Sequence, residues 1–474
     1  MLLRPATFAS LFFSFACAHP VPATATPASF REPTPAIRLL GSRGEALDVK
    51  KPLLRATETR PVVEGLDAGE WVTFRAKEGL SESWARLRAS EQGTLDVTRA
   101  PALEGTWEGA DAEAWLWSMR PVSERPLGPS PLVLTVERKG KPALTLTVNR
   151  TDISPEVTVT AVKQPQVNGD WVMPRGDGPF PALIVLGGAE GSNGASLRRA
   201  LDLATAGFAC LALSYFGDDG LEPTLSKIPV ERVGEALTWV AAQPHIDGQR
   251  LGLVGDSRGG ELALIAAANF RQVRAVAAIV PSGLQWGALK NPNETAWTLG
   301  GKPLAFVPWS GVPAQSVRDA WGRTTVTSLG IFTSSLSRAS PSKVAAATIP
   351  VENISGPVLL IGAKDDQVWP SCQLAEVARA RLAKHDHLER YGDVLRCFEG
   401  AGHRIGVPGS STMSHSREII GDTLVNKGGT PQGAARAERE TRAMLRAHFE
   451  RALKSYFSTP SPRKRAVAEC STNR

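Results

Sequence analysis

The stretch Arg250-Leu-Gly-Leu-Val-Gly-Asp-Ser-Arg-Gly-Gly-Glu-Leu-Ala-Leu-Ile-Ala-Ala-Ala268 constrains the fold more than any other part of the chain. Leu251 to Val254 is a short apolar run and reads as a buried strand. The Ala-rich apolar segment that follows reads as a helix. Between them, Gly255-Asp256-Ser257-Arg258-Gly259 fits Gly-x-Ser-x-Gly in the strand–turn–helix setting of a nucleophile elbow. So sharp a turn needs small residues two positions either side of the serine, and Gly255 and Gly259 supply them. The Ser257 hydroxyl is then pushed out at the carboxyl edge of a sheet. In a chain with 44 glycines the bare pattern arises by chance; the flanking strand and helix make it specific.

A serine nucleophile needs a base, and the base needs an orienting acid. Behind an elbow of this kind they follow in the order serine, acid, histidine. Of seven histidines, His403 is best placed, after a short strand-like run and within Gly400-Ala-Gly-His403. His19 falls near the start of the chain, His245 precedes the nucleophile strand and His415 lies in a Ser-rich loop. His385 and His387 read as solvated positions of a charged helical segment, and His448 lies on a terminal amphipathic helix. The acid should follow the apolar run Pro357-Val-Leu-Leu-Ile-Gly362, which has the continuous hydrophobicity of a buried parallel strand. Two adjacent carboxylates follow it. Asp366, four residues before Pro370, is favoured; Asp365 is the alternative, and whichever is not used caps the loop or is solvated. An oxyanion hole needs two backbone N–H groups. One comes from Arg258, and the other from Gly188 or Ala189 in Gly187-Gly-Ala-Glu-Gly-Ser192, the loop after the strand-like Phe180-Pro-Ala-Leu-Ile-Val-Leu186. That loop lacks a Gly-Lys-Ser/Thr ending and a Gly-x-Gly-x-x-Gly spacing, so it does not read as a phosphate loop.

From residue 37 to 162 the pattern is β. Trp71-Val-Thr-Phe-Arg75 alternates, and residues 132–148 read as two alternating strands around a Lys-Gly-Lys turn, which together suggest a sandwich. From about 163 to 458 strands alternate with helices, the signature of a mostly parallel sheet covered on both faces. Ala434 to Phe457 reads as an amphipathic closing helix. The segment Leu284–Pro350 holds Trp286, Trp297, Trp309 and Trp321, and reads either as a wall of the substrate pocket or as a surface insertion packed by its own aromatics.

The net charge of +7 is scattered, with a basic tail at 459–474. It forms no basic face interleaved with aromatics, which argues against nucleic acid as a partner. The first 18 residues carry Arg4, the apolar run Phe8–Ala18 and a small-x-small site at Ala16-Cys17-Ala18, so they read as an export signal. The expectation is an exported protein, periplasmic or secreted, with lipidation of Cys17 as an alternative that would anchor it to a membrane. Residues 19 to 36, rich in Pro, Ala and Thr, read as a flexible tether. The five cysteines show no metal-type spacing, and Cys210 and Cys397 lie in apolar runs that suggest buried thiols. No metal or cofactor is called for.

With these residues in place, the chain resembles the acyl-CoA thioesterase / bile acid-CoA:amino acid N-acyltransferase family. The resemblance rests on Leu66-Asp-Ala-Gly-Glu-Trp-Val-Thr-Phe-Arg75, Gly105-Thr-Trp-Glu-Gly109, Ser257-Arg-Gly-Gly-Glu-Leu262, Asp365-Asp-Gln-Val-Trp369 and Gly400-Ala-Gly-His403. It implies an immunoglobulin-like N-terminal domain joined to an α/β-hydrolase domain, and a triad of Ser257, Asp366 and His403. Serine at the elbow is the hydrolytic form, whereas conjugating members commonly carry cysteine. The expected activity is hydrolysis of a small-molecule acyl thioester through an acyl-enzyme. The alternatives are a carboxylesterase or dienelactone-type hydrolase acting on an extracellular ester or amide, acyl transfer to an amino acid, and a non-catalytic binding protein. Two features depart from the family: Ala189 and Glu190 stand where its oxyanion loop is richer in glycine, and the leader directs the chain away from coenzyme A.

Overall fold

A computed structural model describes residues 34–454, apart from 122–129, 192–193, 310–312, 319–323, 408, 410–416 and 421–422. The leader with Cys17, most of the tether, His415 and the basic tail lie outside the described residues.

The two main sheets of the N-terminal region are antiparallel. Ala36–Leu40, Arg60–Glu64 and Leu95–Asp96 form one sheet; Lys141–Val148, Leu132–Arg138, Trp71–Glu78, Ser81–Arg88 and Glu104–Gly105 form a second, with Arg120–Pro121 beside Ser81–Arg88. Alternation decides which face is buried. Val72, Phe74 and Ala76 turn inward from their strand and meet Leu134, Val136, Leu39, Val63 and Trp115 in one core. Full burial of such a side chain contributes about 1.5–3 kcal/mol. The turn between Leu132–Arg138 and Lys141–Val148 contains Gly140 at φ 69°, a conformation that glycine adopts without strain.

The large sheet has eight strands: β1 (Val157–Lys163), β2 (Asn168–Pro174), β3 (Phe180–Leu186), β4 (Ala209–Ser214), β5 (Ile246–Asp256), β6 (Val273–Ile279), β7 (Val358–Ala363) and β8 (Val394–Phe398). Their order across the sheet is β1-β2-β4-β3-β5-β6-β7-β8. β1 and β2 are antiparallel to their neighbours; β3 through β8 run parallel. The sequence pattern groups Val157–Val162 with the N-terminal strands. The structure instead gives β1 to the large sheet, because it alternates and pairs antiparallel with β2 at the sheet's edge. The central strands are buried on both faces, as β4 and β7 are at every position. Helices α1 (Gly194–Ala204), α2 (Glu231–Ala241), α3 (Arg258–Asn269), α4 (Ser371–Lys384) and α5 (Pro431–Leu453) accompany the sheet.

α5 begins and ends earlier than the expected Ala434–Phe457. Thr430 caps it by accepting from the Gly433 amide at 3.0 Å, and Pro431 takes the first turn, where a missing N–H costs nothing. From α5, Gln432 and Arg442 reach the N-terminal region, donating to Asp111 (3.2 Å) and to the Ala56 carbonyl (3.1 Å).

Two side-chain expectations are corrected. Cys397 is not a free thiol: it forms a disulfide with Cys372, which joins β8 to the start of α4, while Cys210 is a buried free thiol. His387 is buried rather than solvated, held between Asp393 Oδ2 (2.7 Å) and the Ile354 carbonyl (2.9 Å).

Candidate active site

Parallel strands deliver their following loops to one edge, and the candidate residues arrive there from three strands. Ser257 follows β5, Asp366 follows β7 and His403 follows β8. The elbow is tight in the way its glycines require. A Cβ on Gly255 would lie 2.1 Å from the Gly259 carbonyl oxygen, and one on Gly259 would lie 2.1 Å from that of Gly187. Ser257 sits at φ 55° and ψ −118°, a conformation that costs a non-glycine residue on the order of 1–3 kcal/mol. Its amide donates to the Ile279 carbonyl at the end of β6 (2.8 Å), and its carbonyl accepts from the Glu261 amide (3.0 Å), so the turn is pinned on both sides.

Ser257 Oγ lies 2.8 Å from His403 Nε2, and His403 Nδ1 lies 2.8 Å from Asp366 Oδ2. A carboxylate only accepts, so Nδ1 carries the ring proton and Nε2 accepts from the serine hydroxyl. The other oxygen, Asp366 Oδ1, accepts from the amides of Val368 (2.8 Å) and Trp369 (3.2 Å), which fixes the carboxylate plane. The His403 amide donates to the Lys427 carbonyl (2.6 Å), and the Trp369 ring meets the imidazole edge-on at 5.6 Å. Asp365 does different work: its Oδ2 accepts from the Gly400 amide (2.6 Å) and closes the loop that leads to His403. Asp366 and His403 are buried, whereas His245 and His385 lie exposed and away from the cluster.

Arg258 opens α3 directly after the serine. Its side chain is buried, pairs with Glu261 (2.9 Å) and donates to the carbonyls of Trp286 (3.1 Å) and Gly287 (3.3 Å). Glu261 in turn accepts from the Trp286 amide (3.1 Å) and Trp297 Nε1 (2.6 Å). Burial pushes the Glu261 carboxyl up to about 7, although Arg258 opposes the shift. This buried network bolts the tryptophan-rich segment onto the helix that begins at the elbow.

Gly188 packs against the serine; a Cβ there would come 3.3 Å from Ser257 Cβ. Sequence reasoning missed what holds this loop. The hydroxyl of Tyr215, just past β4, is shared between the carbonyls of Gly187 (2.7 Å) and Gly188 (2.9 Å). A peptide plane sets N–H opposite C=O. Holding those two carbonyls therefore aims the amides of Gly188 and Ala189 the other way. Tyr215 is fully buried, and burial raises its phenol well above the ordinary value. A tyrosine ending an apolar strand was the available signal, but its target lies 28 residues away in the chain.

A cavity of 760 Å³ opens over Ser257. One wall is apolar, with Leu289, Trp309, Ile331 and Phe332 from the tryptophan-rich segment. That segment is thus a pocket wall, and it is also packed by its own rings, since Trp286 meets Phe332 edge-on at 4.9 Å. Val326 and Val425 add to the wall from two short parallel strands, Thr324–Thr327 and Thr423–Asn426, which the sequence pattern did not suggest. Arg198, Arg404 and Lys427 also line the cavity, as does Glu190. Among the described residues no cluster of three or more His, Cys, Asp or Glu could hold a metal ion.

A mostly parallel sheet with helices packed on it, and a serine, histidine and carboxylate joined at its carboxyl edge, define an α/β hydrolase. Residues 228–455 match the BAAT / acyl-CoA thioester hydrolase C-terminal model, and residues 58–164 match the acyl-CoA thioester hydrolase/BAAT N-terminal region. The chain belongs to this acyl-CoA thioester hydrolase/BAAT family. It is 29% identical over 410 residues to acyl-coenzyme A thioesterase 2, mitochondrial, of Rattus norvegicus, covering 82% of this chain and 85% of the relative. With acyl-coenzyme A thioesterase 1 of Homo sapiens it shares 28% over 420 residues, 84% of this chain and 94% of the relative. Among solved structures, carboxyl esterase 2 from Tuber melanosporum aligns at a TM-score of 0.40 and 16% identity, over 64% of this chain and 89% of the esterase.

Proposed function

We propose that the protein is a serine hydrolase that cleaves acyl thioesters through Ser257, His403 and Asp366. The observation that carries this reading is the unbroken pair of 2.8 Å contacts from Ser257 Oγ to His403 and from His403 to Asp366. His403 Nε2 takes the serine proton as Oγ attacks the acyl carbonyl. The amides of Arg258 and of Gly188 or Ala189 stabilise the oxyanion. His403 then protonates the leaving thiolate, and the acyl group remains on Ser257 as an ester. A water enters, gives its proton to His403 and releases the acid. Asp366 holds the imidazole tautomer throughout.

The cavity supports an amphiphilic substrate. Its apolar wall suits an acyl chain, and Arg198, Arg404 and Lys427 suit an anionic leaving group such as coenzyme A. Around this site we read an immunoglobulin-like sandwich, ending before β1, followed by the catalytic domain.

A second reading, a carboxylesterase acting on an oxyester outside the cell, is favoured by the Cys372–Cys397 disulfide, which belongs to an oxidising compartment and agrees with export by residues 1–18. Thiol release from an acyl-CoA series, run beside matched oxyesters with the wild type and Ser257→Ala, tests both. Thioester turnover that vanishes in the variant supports the first reading. Turnover of oxyesters alone supports the second. Turnover that survives Ser257→Ala overturns the nucleophile assignment.

A further inference from the structure

Arg199 takes no part in the steps above. It lies on α1, with its side chain 6% exposed. Nε donates to Asp256 Oδ2 at 3.1 Å, and Nη2 donates to Asp256 Oδ1 at 2.9 Å and to the Ile405 carbonyl at 2.7 Å. Asp256 immediately precedes Ser257, and Ile405 stands two residues after His403. One guanidinium therefore grips the segment that carries the nucleophile and the segment that carries the base.

We propose that Arg199 is a positioning residue that sets the approach of His403 Nε2 to Ser257 Oγ, and with it the rate of attack. The inference rests on the reading of Ser257 as nucleophile. Three physical points support it. Ser257 occupies a strained backbone conformation, so the turn needs restraint on the Asp256 side as well as from β6. The loop after His403 is tied back by the His403 amide to Lys427 and, at 3.3 Å, by the Gly406 amide to Glu438; the 2.7 Å Arg199 bond to Ile405 ties it to the elbow as well. Finally, a planar fork can hold both carboxylate oxygens and a carbonyl at once, which a lysine ammonium cannot do with the same rigidity.

The test measures the rate of Ser257 labelling by a fluorophosphonate in wild type, Arg199→Lys, Arg199→Met and Asp256→Asn, with folding checked by circular dichroism. Labelling needs aligned Ser257 and His403 and is indifferent to the natural leaving group. Small misplacements of reacting groups cost about 10²-fold. Arg199→Met should therefore label about 100-fold slower, and Arg199→Lys and Asp256→Asn about 10-fold slower. On any ester or thioester that is turned over, the same factors should appear in kcat, with KM changed less than about threefold. A merely structural role would lower the melting temperature and leave labelling of the folded protein unchanged. Folded Arg199→Lys and Asp256→Asn proteins that label at the wild-type rate overturn the inference, even if Arg199→Met fails to fold. A wild-type protein that does not label removes the Ser257 reading and this inference with it, whereas a labelled wild type beside unchanged variants removes this inference alone.

Discussion

The two large sheets of this molecule are built from similar residues and treat charge in opposite ways. In the N-terminal strand Trp71–Glu78, buried Val72, Phe74 and Ala76 alternate with outward residues, and Arg75 pairs across the outer face with Glu137 (2.7 Å) and Glu82 (2.9 Å). In β4 and β7 every residue is buried. A sheet covered on both faces has no outer surface for charges. Near the candidate site its polar side chains therefore gather beyond the strand ends, as Asp256 does at the end of β5 and Asp366 after β7. The N-terminal sheet spreads these ion pairs over a face. The eight-stranded sheet brings polar groups together at one edge.

This contrast can be broken from either side. The largest effect should come at the edge: Ser257→Ala should lower turnover by at least about 10³-fold in a steady-state assay while the protein stays folded. Next, Phe74→Ala should cost about 3–5 kcal/mol in urea denaturation, since Phe74 is fully buried in the N-terminal core. If the sheets unfold independently, Ser257 should still label with a fluorophosphonate at urea concentrations that have melted the N-terminal core; loss of labelling in step with that melting would make them one cooperative unit.

The third effect depends on pH. His448, on α5 against the large sheet, is pushed down to about 4 by burial. A histidine depressed from about 6.5 in the unfolded chain stabilises the fold above that value, and the stability is lost as pH falls through 4. Wild type should therefore lose about 3 kcal/mol between pH 6.5 and 4 from this group, and His448→Leu should show a flatter profile in pH-dependent denaturation. The smallest effect belongs to the outer face. Arg75→Ala should cost no more than about 1 kcal/mol, because its pairs are partly solvated. A larger loss would mean that the outer face is more than a solvated surface.

What could be read in advance follows from the range of the interactions. The Leu251–Val254 strand, the glycine-framed turn and the helix after it are local, and they stand out in the sequence. His403 and Asp366 were legible because each follows an apolar strand at a loop rich in glycine or turn residues. Tyr215 and Arg199 were not, since each acts on backbone that is remote in sequence and neither forms part of a motif. The strands Thr324–Thr327 and Thr423–Asn426 are too short and too polar to announce themselves, and they pair across nearly 100 residues. His387 looked solvated because its helix is charged, yet its partner Asp393 lies beyond the end of that helix and draws the ring inward.

Ser257 and His403 meet across 146 residues of chain. A ribosome extends the protein from its N-terminus, so the serine emerges long before its base has been made. Until the loops after β7 and β8 are in place, Ser257 has neither the base nor the acid that its proposed role requires. The chain thus carries its own delay. On the reading of Ser257 as nucleophile, a molecule without β8 and the loop after it holds the serine but not its base, and cannot carry out the proposed attack.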